Sequence, residues 1–402
     1  MSIYADLLPA PPDPILGIGD LVKADPRERK ANLGVGVYQD AGGRLPLLAC
    51  VGQAERRLAE NPAPRGYLPM DGDPTFNALT QALVFGADHR CLVDGRIVTV
   101  QSLAGTGALK LGATFLFARW PEATVLFSDP TWDNHEAIFS GAGFRTGTYR
   151  YYDAAHRRID FDGMLEDLGR APAGTIVVLH ACCHNPTGYD LTDEQWPQVF
   201  DLIKDRGLIA FTDLAYQGFA VGVEEDPYPV RLAADSGVDL LCASSYSKIM
   251  GLYGERIGAL SVVCADAEEA ERVRSRIKLA ARAIYSNPPT HGMALVRTVL
   301  SDAGLRRLWA DELVGMRRRI KAMRAGLVEA LRACGIEEDL SFITDQRGMF
   351  SYSGLSSAQM GRLRADWGVY GVDNGRLCVA ALNEANLDYV AQALAAVWRP
   401  GA

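Results

Sequence analysis

Residues 244–258 concentrate several side chains that can do chemistry within one short stretch of the chain. The sequence there is SSYSKIMGLYGERIG, which holds Lys248, Arg256 and three serines. The apolar run that leads into it, residues 238–243, is typical of a buried strand. Three glycines interrupt the stretch, so it is predicted to be a loop rather than a helix.

Lys248 and its neighbours are the residue types that a phosphorylated aldehyde requires. A lysine just past a strand end lies where α/β enzymes place their chemistry. Burial there would lower its pKa and leave an amine that can form a Schiff base with a carbonyl. The hydroxyls of Ser245 and Ser247 and the guanidinium of Arg256 suit a phosphate. The combination favours pyridoxal phosphate as cofactor, and a solvated loop with an ion-paired lysine and arginine is the alternative.

A second segment suited to phosphate is AGTGALK, residues 104–110. It is not a dinucleotide fingerprint, because Lys110 stands where G-x-G-x-x-G requires its last glycine. A glycine turn at a helix start still offers backbone donors and the positive end of the helix dipole. Thr106 adds a hydroxyl next to Gly105. A plain tight turn explains the glycines equally well.

The segment DLAY, residues 213–216, follows the apolar run LIAFT. A carboxylate at that place is costly unless it is paired. Asp213 would be well paired with the protonated ring nitrogen of pyridoxal phosphate, which makes the ring an electron sink. Tyr216 can donate a hydrogen bond to the ring oxygen. An aspartate that caps the following helix is the alternative.

The segment HACCH, residues 180–184, raises the possibility of a zinc site, because alternate residues of a strand share one face. Asn185-Pro186 ends the segment at once, and the sequence offers no further ligand pair at metal spacing. We therefore predict no metal site. Asn185, a neutral hydrogen-bonding side chain at a strand end, is the better candidate for cofactor binding.

Three larger side chains are candidates for holding flat or anionic groups. Trp132 follows a strand in DPTWDNH and can stack on a flat ring, although a core tryptophan is equally compatible. Arg376 opens the strand-like run RLCVAAL, and Arg282 ends a long helical pattern. A guanidinium matches a carboxylate with two hydrogen bonds, whereas most arginines are simply exposed.

The elements that must position these residues follow from length and periodicity. A chain of 402 residues usually forms two domains. From residue 97 apolar strands alternate with helices, which predicts an α/β fold with a mostly parallel sheet covered on both faces. Long helical patterns follow at 267–284 and 302–333, and a smaller α+β unit ends the chain. The predicted layout is an arm at 1–14, a large domain at 46–315 and a small domain built from 15–45 and 316–402.

Composition and charge restrict the possible partners and compartments. The net charge of −8 argues against nucleic acid as a general partner. The eight cysteines form no C-x-x-C pair and are typical of small buried side chains in a reducing compartment. The sequence shows no signal-peptide pattern, and no apolar run reaches the roughly 18 residues that a membrane span needs. A cytoplasmic protein without a membrane partner is expected.

Several motifs in one order resemble a known family. The lysine segment, SYSKxxGLYxERxG, is similar to that of the class I aminotransferases, the aspartate and aromatic amino-acid group of fold-type-I PLP enzymes. The other matching stretches are NLGVGVY at 32–38, DPTWDNH at 129–135, HACCHNPTG at 180–188, DLAYQGF at 213–219, YSNPPTHG at 285–292 and RGMFSYSGL at 347–355. The resemblance spans nearly the whole chain, and it implies the fold-type-I PLP transferase fold.

The resemblance implies a role for each cofactor candidate. Lys248 is the lysine that holds pyridoxal phosphate, Trp132 lies over the pyridine ring, and the Asn185 side chain hydrogen-bonds the phenolic oxygen. Asp213, supported by His135, faces the ring nitrogen. The remaining cofactor-binding residues that it implies are Gly105, Thr106, Tyr216, Ser245, Ser247, Arg256 and Tyr67, the last reaching the phosphate from the neighbouring subunit.

For the substrate, the resemblance implies a homodimer with two shared sites. Arg376 binds the α-carboxylate, Arg282 of the neighbouring subunit binds a side-chain carboxylate, and Gly36 lies beside the substrate. Lys248 moves the α-proton as general base and acid, aided by Asp213 and Tyr216. An amino group then passes from an amino acid to 2-oxoglutarate with ping-pong kinetics.

Other functions stay open at this point. A non-catalytic sensor of this fold would need an appended DNA-binding module, for which residues 1–14 are too short, and would not need Lys248. Decarboxylation or β-elimination on the same cofactor is harder to separate from sequence. Among donors, Thr106 and Asn287 look like aspartate-preferring relatives, whereas Leu45 and Gly66 look closer to aromatic-accepting ones. Both donor classes are expected, with a strict aspartate aminotransferase as the alternative.

Overall fold

The computed structural model describes residues 2–398, in which strands and helices alternate through the middle of the chain as predicted. The strands are β1 Ala31–Asn32, β2 Ile97–Leu103, β3 Thr124–Asp129, β4 Arg145–Arg150, β5 Tyr152–Asp153, β6 Arg158–Ile159, β7 Ile176–His180, β8 Ile209–Leu214, β9 Asp239–Ser245, β10 Ile257–Val263, β11 Phe350–Tyr352, β12 Val369–Tyr370 and β13 Arg376–Cys378.

Sixteen helices surround these strands in the described residues, and a short 3-10 turn, Val379–Ala381, follows β13. The helices are α1 Gly17–Ala24, α2 Ala49–Glu60, α3 Pro74–Phe85, α4 Arg90–Val93, α5 Ala104–Phe117, α6 Asn134–Ser140, α7 Phe161–Arg170, α8 Gln195–Arg206, α9 Tyr228–Ser236, α10 Tyr246–Ile249, α11 Ala267–Ile284, α12 His291–Ser301, α13 Ala303–Ala333, α14 Ser341–Asp345, α15 Ser357–Trp367 and α16 Leu387–Trp398.

The central sheet has seven strands in the order β2-β10-β9-β8-β7-β3-β4. Only β10 runs antiparallel to its neighbours, so the prediction of a mostly parallel α/β sheet is confirmed. Strands β7 and β8 are buried along their whole length, which explains their continuous apolar sequences. Their register places His180 beside Asp213, and Asp213 beside Ala243. Side chains that follow these strands therefore meet at one edge of the sheet, where α/β folds bind ligands.

The boundaries of α3 and α11 follow from local sequence. Asp73 caps α3 by accepting a hydrogen bond from the Phe76 N–H at 2.8 Å, and Pro74 takes the first helical position, as predicted. The helix predicted at 267–284 has those bounds, and Asp266 accepts from the Glu269 N–H at 2.7 Å. Both helices begin where a carboxylate satisfies a free backbone donor.

Helix α13 spans 31 residues and connects the sheet region with the C-terminal strands. Near its start, the Trp309 indole donates to the Ile249 carbonyl at 2.6 Å. Further along, the Arg319 guanidinium donates to the Leu382 carbonyl. The division into an arm, a large domain and a small domain stays a prediction, and its ends at Met1 and 399–402 lie outside the described residues.

Several local predictions were wrong. Residues 244–258 are not all loop, since Lys248 lies in the one-turn helix α10 and the two flanking strands extend into the stretch. In NLGVGVY only Asn32 is in a strand. By contrast, AGTGALK opens a helix as predicted, and its two glycines lie in the first turn of α5, directly after β2. The capping-box pattern Thr192-x-x-Gln195 predicts a helix at 193–206, whereas α8 begins at Gln195, whose side chain accepts from the Thr192 N–H at 2.9 Å.

No helix among residues 2–398 has the length and apolar content needed to cross a lipid bilayer. None of the eight cysteines, which all lie within residues 2–398, forms a disulfide bond, and seven of them are buried, as predicted for small buried side chains.

Candidate active site

Lys248 lies directly after β9, on a helical turn that Ser245 begins. The Ser245 hydroxyl accepts a hydrogen bond from the Ser247 N–H at 3.3 Å, which caps α10. The Lys248 ammonium donates to the Gly36 carbonyl at 2.8 Å and lies 4.6 Å from the centre of the Tyr253 ring. One backbone acceptor and one aromatic face therefore hold the amine in place. Within residues 2–398, no carboxylate forms a hydrogen bond or ion pair with it.

The environment of Lys248 favours its neutral form. Burial lowers the pKa of Lys248 to about 8, and the positive charges of Arg376 and Arg256 act in the same direction. A lysine that titrates there supplies a nucleophilic amine near neutral pH. Such a perturbed amine in a ligand-binding edge is typical of a functional site.

We expect Lys248 to be the lysine whose acylation begins at the lowest pH in the cofactor-free protein. Below pH 8 its ammonium cannot attack, and above pH 8 the neutral amine can, so labelling should be half-maximal near pH 8 rather than near 10.5. Competitive labelling with acetic anhydride and peptide mapping across pH 6–11 measures this. Lys110, a partly exposed lysine whose ammonium donates to a backbone carbonyl at 2.8 Å, is the internal control. Equal titration of the two lysines would contradict the assignment.

The candidate phosphate ligands converge where α5 and α10 begin. Gly105 packs against Ser245, since a Cβ built on Gly105 would lie 3.4 Å from the Ser245 Cβ. Gly258 permits this approach because it has no side chain: a Cβ built on it would lie only 2.7 Å from the Ala104 backbone. The first N–H groups of α5 have no partner within the helix, so with the Thr106 and Ser247 hydroxyls they offer donors to an anion.

Arg256 is near this cluster, since its charge influences Lys248. It has a left-handed backbone with φ of 51°, and its guanidinium donates to the Tyr253 carbonyl at 2.9 Å. The side chain is exposed on one side, so a guanidinium N–H remains available for a phosphate.

Asp213 has one satisfied and one unsatisfied carboxylate oxygen. Its Oδ2 lies 3.2 Å from the His135 Nε2, and the His135 Nδ1 lies 2.8 Å from the Thr131 hydroxyl. Its Oδ1 is buried and has no hydrogen-bond donor within residues 2–398. A buried carboxylate oxygen without a donor is costly, and a protonated pyridine nitrogen is the kind of donor that would satisfy it.

Two buried histidines, His135 and His180, lie near this carboxylate. Burial lowers the pKa of His180 to about 3, and its ring centroid lies 5.0 Å from that of His135. Trp132 meets His135 edge-on with ring centroids 5.3 Å apart. Trp132 therefore lies beside the histidine that contacts Asp213, and its position over a pyridine ring stays a prediction.

Arg376 is buried without a carboxylate partner in the described part of the chain. Its Nη1 donates to the Asn185 Oδ1 at 3.0 Å, and its Nη2 donates to the Gly34 carbonyl at 2.7 Å. Its guanidinium lies over the Phe350 ring at 4.2 Å from the centroid, and burial lowers its pKa. A buried guanidinium that lacks a counter-ion is expensive, so this site favours an incoming carboxylate.

Tyr216 and Gly36 complete the group. Tyr216 is only 6% exposed, and burial raises its pKa, so its hydroxyl stays protonated and can donate. The Gly36 carbonyl accepts from Lys248, and a Cβ on Gly36 would lie 2.7 Å from the Phe350 ring. The close approach that the sequence predicted for Gly36 is thus an approach to Phe350.

Tyr67 and Arg282 lie apart from the other candidates within one chain. Tyr67 is 96% exposed, and Arg282 donates to the Ser286 hydroxyl at 2.5 Å. No hydrogen bond or ion pair joins either one to Lys248, Asp213 or Arg376 in residues 2–398. The two surface segments do touch each other, because the amide of Asn287 donates to the Leu68 carbonyl at 2.7 Å.

Sequence reasoning missed two aromatic residues of the site. Tyr253 lies beneath the Lys248 ammonium, and its hydroxyl accepts from the Tyr38 N–H at 3.0 Å. Phe350 separates Gly36 from Arg376. Tyr253 follows Lys248 by five residues in the same glycine-broken stretch, and that proximity was an available signal.

The residues of HACCH do not form the zinc site that their alternating spacing made worth considering. His184 hydrogen-bonds through both ring nitrogens, to the Ser128 and Thr187 hydroxyls, each at 2.8 Å. Within residues 2–398 the groups with metal-ligating geometry are His135, His180 and Asp213, and His89, Cys91 and Asp235. The first of these shares Asp213 with the candidate cofactor site.

The residues therefore fit a phosphorylated pyridine aldehyde. An amine with a lowered pKa, a buried carboxylate oxygen without a donor, and backbone and hydroxyl donors at a helix start are the three features that the group requires. They lie along one edge of the central sheet.

Comparisons with known proteins agree with this geometry. The family model described as "Aminotransferase class I and II" matches residues 28–394. An aspartate aminotransferase of Pseudomonas aeruginosa is 51% identical over 99% of this chain and 100% of its own, and an aromatic-amino-acid aminotransferase of Escherichia coli is 49% identical over 96% and 97%. The crystal structure of an aromatic-amino-acid aminotransferase from Burkholderia pseudomallei, covalently bound to pyridoxal phosphate, superposes with a TM-score of 0.97 at 53% identity, covering 99% of this chain and 100% of that one.

Proposed function

The chain belongs to the class I and II aminotransferase family, and from that premise we propose that it is a pyridoxal-phosphate-dependent aminotransferase for aspartate, glutamate and aromatic amino acids, with 2-oxoglutarate as acceptor. The observation that carries the proposal is the buried Lys248 amine, whose pKa is lowered to about 8, on the same sheet edge as the unsatisfied Asp213 carboxylate. A decarboxylase or lyase on the same cofactor would also need these two groups, so transfer of the amino group is what must be measured.

The side chains have separate tasks in the proposed reaction. When bound, pyridoxal phosphate supplies a reactive aldehyde and a ring that takes up an electron pair. Asp213 keeps a proton on the ring nitrogen, and His135 holds Asp213 in place through its Oδ2. Tyr216 and Asn185 donate hydrogen bonds to the ring oxygen.

Proton transfer falls to Lys248 once its amine is free. A neutral amine, available near pH 8, would take the α-proton of the amino acid as base and would release it as acid to the carbon that carried the aldehyde of the cofactor. Arg376 binds the α-carboxylate in two hydrogen bonds and so fixes which bond at the α-carbon is broken. The 2-oxo acid then leaves, and an acceptor oxo acid enters the same site, so the kinetics are ping-pong.

The proposed substrate range rests on residues of both kinds at the mouth of the site. Thr106 and Asn287 resemble the residues of aspartate-preferring family members, whereas Leu45 is 51% exposed and Gly66 has open space where a side chain would stand. Apolar surface and space favour a phenyl ring by on the order of 1–3 kcal/mol. An assay with aspartate, glutamate, phenylalanine and tyrosine as donors to 2-oxoglutarate tests the proposal.

Replacing Arg282 with leucine should separate the donor classes. The kcat/KM for aspartate should fall by about 10³-fold, because a desolvated carboxylate would face no cation. The value for phenylalanine should change by less than about tenfold, because an aromatic ring displaces this arginine to solvent. Steady-state kinetics with both donors measure the split. No measurable turnover of phenylalanine or tyrosine by the wild type would make the enzyme a strict aspartate aminotransferase.

A homodimer with shared sites is the proposed assembly. It is supported by the exposed Tyr67 and by Arg282, which both lie on one surface away from their own chain's Lys248. We place the dimer in the cytoplasm, because the eight cysteines, all within residues 2–398, form no disulfide bond, which is typical of a reducing compartment.

Subunit exchange between two inactive variants should restore activity. Lys248→Ala and Arg282→Leu homodimers each lack one component of both aspartate sites, whereas a mixed dimer contains one intact site. The mixture should reach about a quarter of the wild-type rate of aspartate turnover at equal total protein. Half of the dimers are mixed, and each mixed dimer has one intact site out of two. Native mass spectrometry verifies exchange, and absence of recovery after verified exchange would contradict shared sites.

A further inference from the structure

Arg324 is a buried arginine on α13 that is not one of the candidate site residues. It is 2% exposed, and no carboxylate pairs with it within residues 2–398. Its Nη1 donates to the Ile343 carbonyl at 2.9 Å, and its Nη2 donates to the Gly348 carbonyl at 3.0 Å and to the Phe350 carbonyl. Backbone carbonyls alone compensate this buried charge, which is an expensive arrangement. It ties residues 343–350 to α13.

The tied segment is docked on the residues that follow β7. The Arg347 N–H donates to the Gly188 carbonyl at 2.6 Å. Gly348 has a left-handed φ of 76°, and its Cβ would lie 2.5 Å from the Cys183 Cβ, so only glycine permits this contact. The segment 183–188 contains Asn185, and residues 343–350 end in Phe350.

Asn185 and Phe350 are two of the contacts that fix Arg376. Asn185 accepts from the guanidinium, and Phe350 lies beneath it. Arg324 is linked to Phe350 by its hydrogen bond to the Phe350 carbonyl, and to the segment of Asn185 through the contacts of residues 347 and 348. Within residues 2–398, no hydrogen bond or ring contact joins Arg324 to Arg376 directly. Arg324 is therefore linked, through residues 343–350 and 183–188, to two of the groups that contact the Arg376 guanidinium.

We propose that Arg324 is a positioning residue that sets the Arg376 guanidinium for the substrate carboxylate. The inference rests on the proposed function of Arg376. Displacing a binding group by about 1 Å can cost on the order of 10²-fold. Loss of Arg324 should weaken all α-carboxylate ligands alike, whatever their side chain, and should leave the proton transfer at Lys248 in place.

The test compares Arg324→Lys and Arg324→Met holoenzymes with wild type. Arg332→Met is the matched control, because Arg332 lies on the same helix and also donates to a backbone carbonyl, that of Ile336 at 3.0 Å. The KM for aspartate and for 2-oxoglutarate should rise by about 10-fold in Arg324→Lys and more in Arg324→Met, with kcat within about threefold. The dissociation constant of maleate, a dicarboxylate that cannot react, should rise in parallel.

Two further measurements separate positioning from general stability. Hydrogen exchange by mass spectrometry should quicken in residues 343–352 and 182–188 of the Arg324 variants and stay unchanged in Arg332→Met. Adding Arg324→Lys to an Arg376→Ala background should cause no further loss of maleate affinity, since both changes act on one contact.

Three results would overturn the proposal: unchanged KM and maleate affinity in folded Arg324 variants, additive losses in the double variant, or failure of the charge-retaining Arg324→Lys to fold. Wild-type protein that binds maleate but transfers no amino group refutes the proposed function and leaves the Arg324 comparison valid. Wild-type protein that binds no dicarboxylate refutes both.

Discussion

A Lys248→Ala variant is expected to fold normally and to lose transamination by about 10⁴-fold or more. The Lys248 amine is held by the Gly36 carbonyl and the Tyr253 ring, and no other lysine makes a hydrogen bond or ion pair with these candidate site residues in residues 2–398. A pKa of about 8 leaves a fraction of this amine neutral near physiological pH, and Lys248 is the one lysine among these candidate site residues. Its removal takes away both the attachment point of the cofactor and the proton carrier.

Folding should survive this change because Lys248 contributes little to the core. Its ammonium makes one hydrogen bond, and burial disfavours its charged form. Truncation therefore removes a desolvated charge, and the melting temperature should stay within a few degrees of wild type.

The test of the role of Lys248 is the rate of amino transfer from aspartate to 2-oxoglutarate, measured at saturating pyridoxal phosphate for Lys248→Ala and for a control variant. Lys110→Ala is the control, because that lysine also donates to a backbone carbonyl at 2.8 Å but is partly exposed and contacts none of the candidate site residues by a hydrogen bond or ion pair within residues 2–398. Reductive trapping with borohydride followed by peptide mapping should label Lys248 in the wild type. Label on another lysine, or a Lys248→Ala variant within 100-fold of wild type, would remove Lys248 from its role.

The sequence predicted the elements of the sheet well because burial leaves a periodic signal. Strands such as β7 and β8 are covered on both faces, so their sequences are continuous apolar runs of strand length. Helix α11 was predicted to its bounds because Asp266 caps it and an apolar face runs along it. Where the signal is one helical turn, as in α10, glycine composition pointed to loop, and the Ser245 cap prevailed.

The site contacts could not be predicted from local sequence because they join distant segments. Lys248 and Gly36 are 212 residues apart, and Arg376 and Asn185 are 191 apart. Residue type and a family resemblance indicated which side chains belong together, yet neither indicated that Gly36 accepts from the lysine or that Phe350 lies under Arg376. Arg324 was not predicted at all, since an arginine within a helical pattern is typical of an exposed face.

The Asp213→Asn variant is expected to lose about 10³-fold in kcat while its cofactor-free form is at least as stable as wild type. These opposite effects follow from one feature, the Asp213 Oδ1 that is buried without a donor. In the cofactor-free chain, an amide there replaces an uncompensated carboxylate and should stabilise the fold or leave it unchanged, by up to about 1–3 kcal/mol.

In the active enzyme, Asp213→Asn removes the negatively charged carboxylate that would face the ring nitrogen. An amide cannot hold a proton on that nitrogen, so the ring accepts electrons poorly and proton removal by Lys248 slows. The contact with His135 at 3.2 Å can be kept by the remaining amide oxygen, which limits any structural effect. The loss should therefore appear in kcat, with KM for aspartate changed by less than about tenfold.

Asp226→Asn is the matched control, because Asp226 is a buried aspartate whose two oxygens are both satisfied. They accept from four backbone N–H groups, those of Gly218, Ala220, Val221 and Gly222. An amide nitrogen at this place would face backbone donors, so the cofactor-free variant should be destabilised by about 2–4 kcal/mol. The measurements are thermal unfolding of the cofactor-free Asp213→Asn and Asp226→Asn proteins and the kcat of each holoenzyme. A destabilised Asp213→Asn protein that keeps its kcat would show that Asp213 supports the fold and not the cofactor.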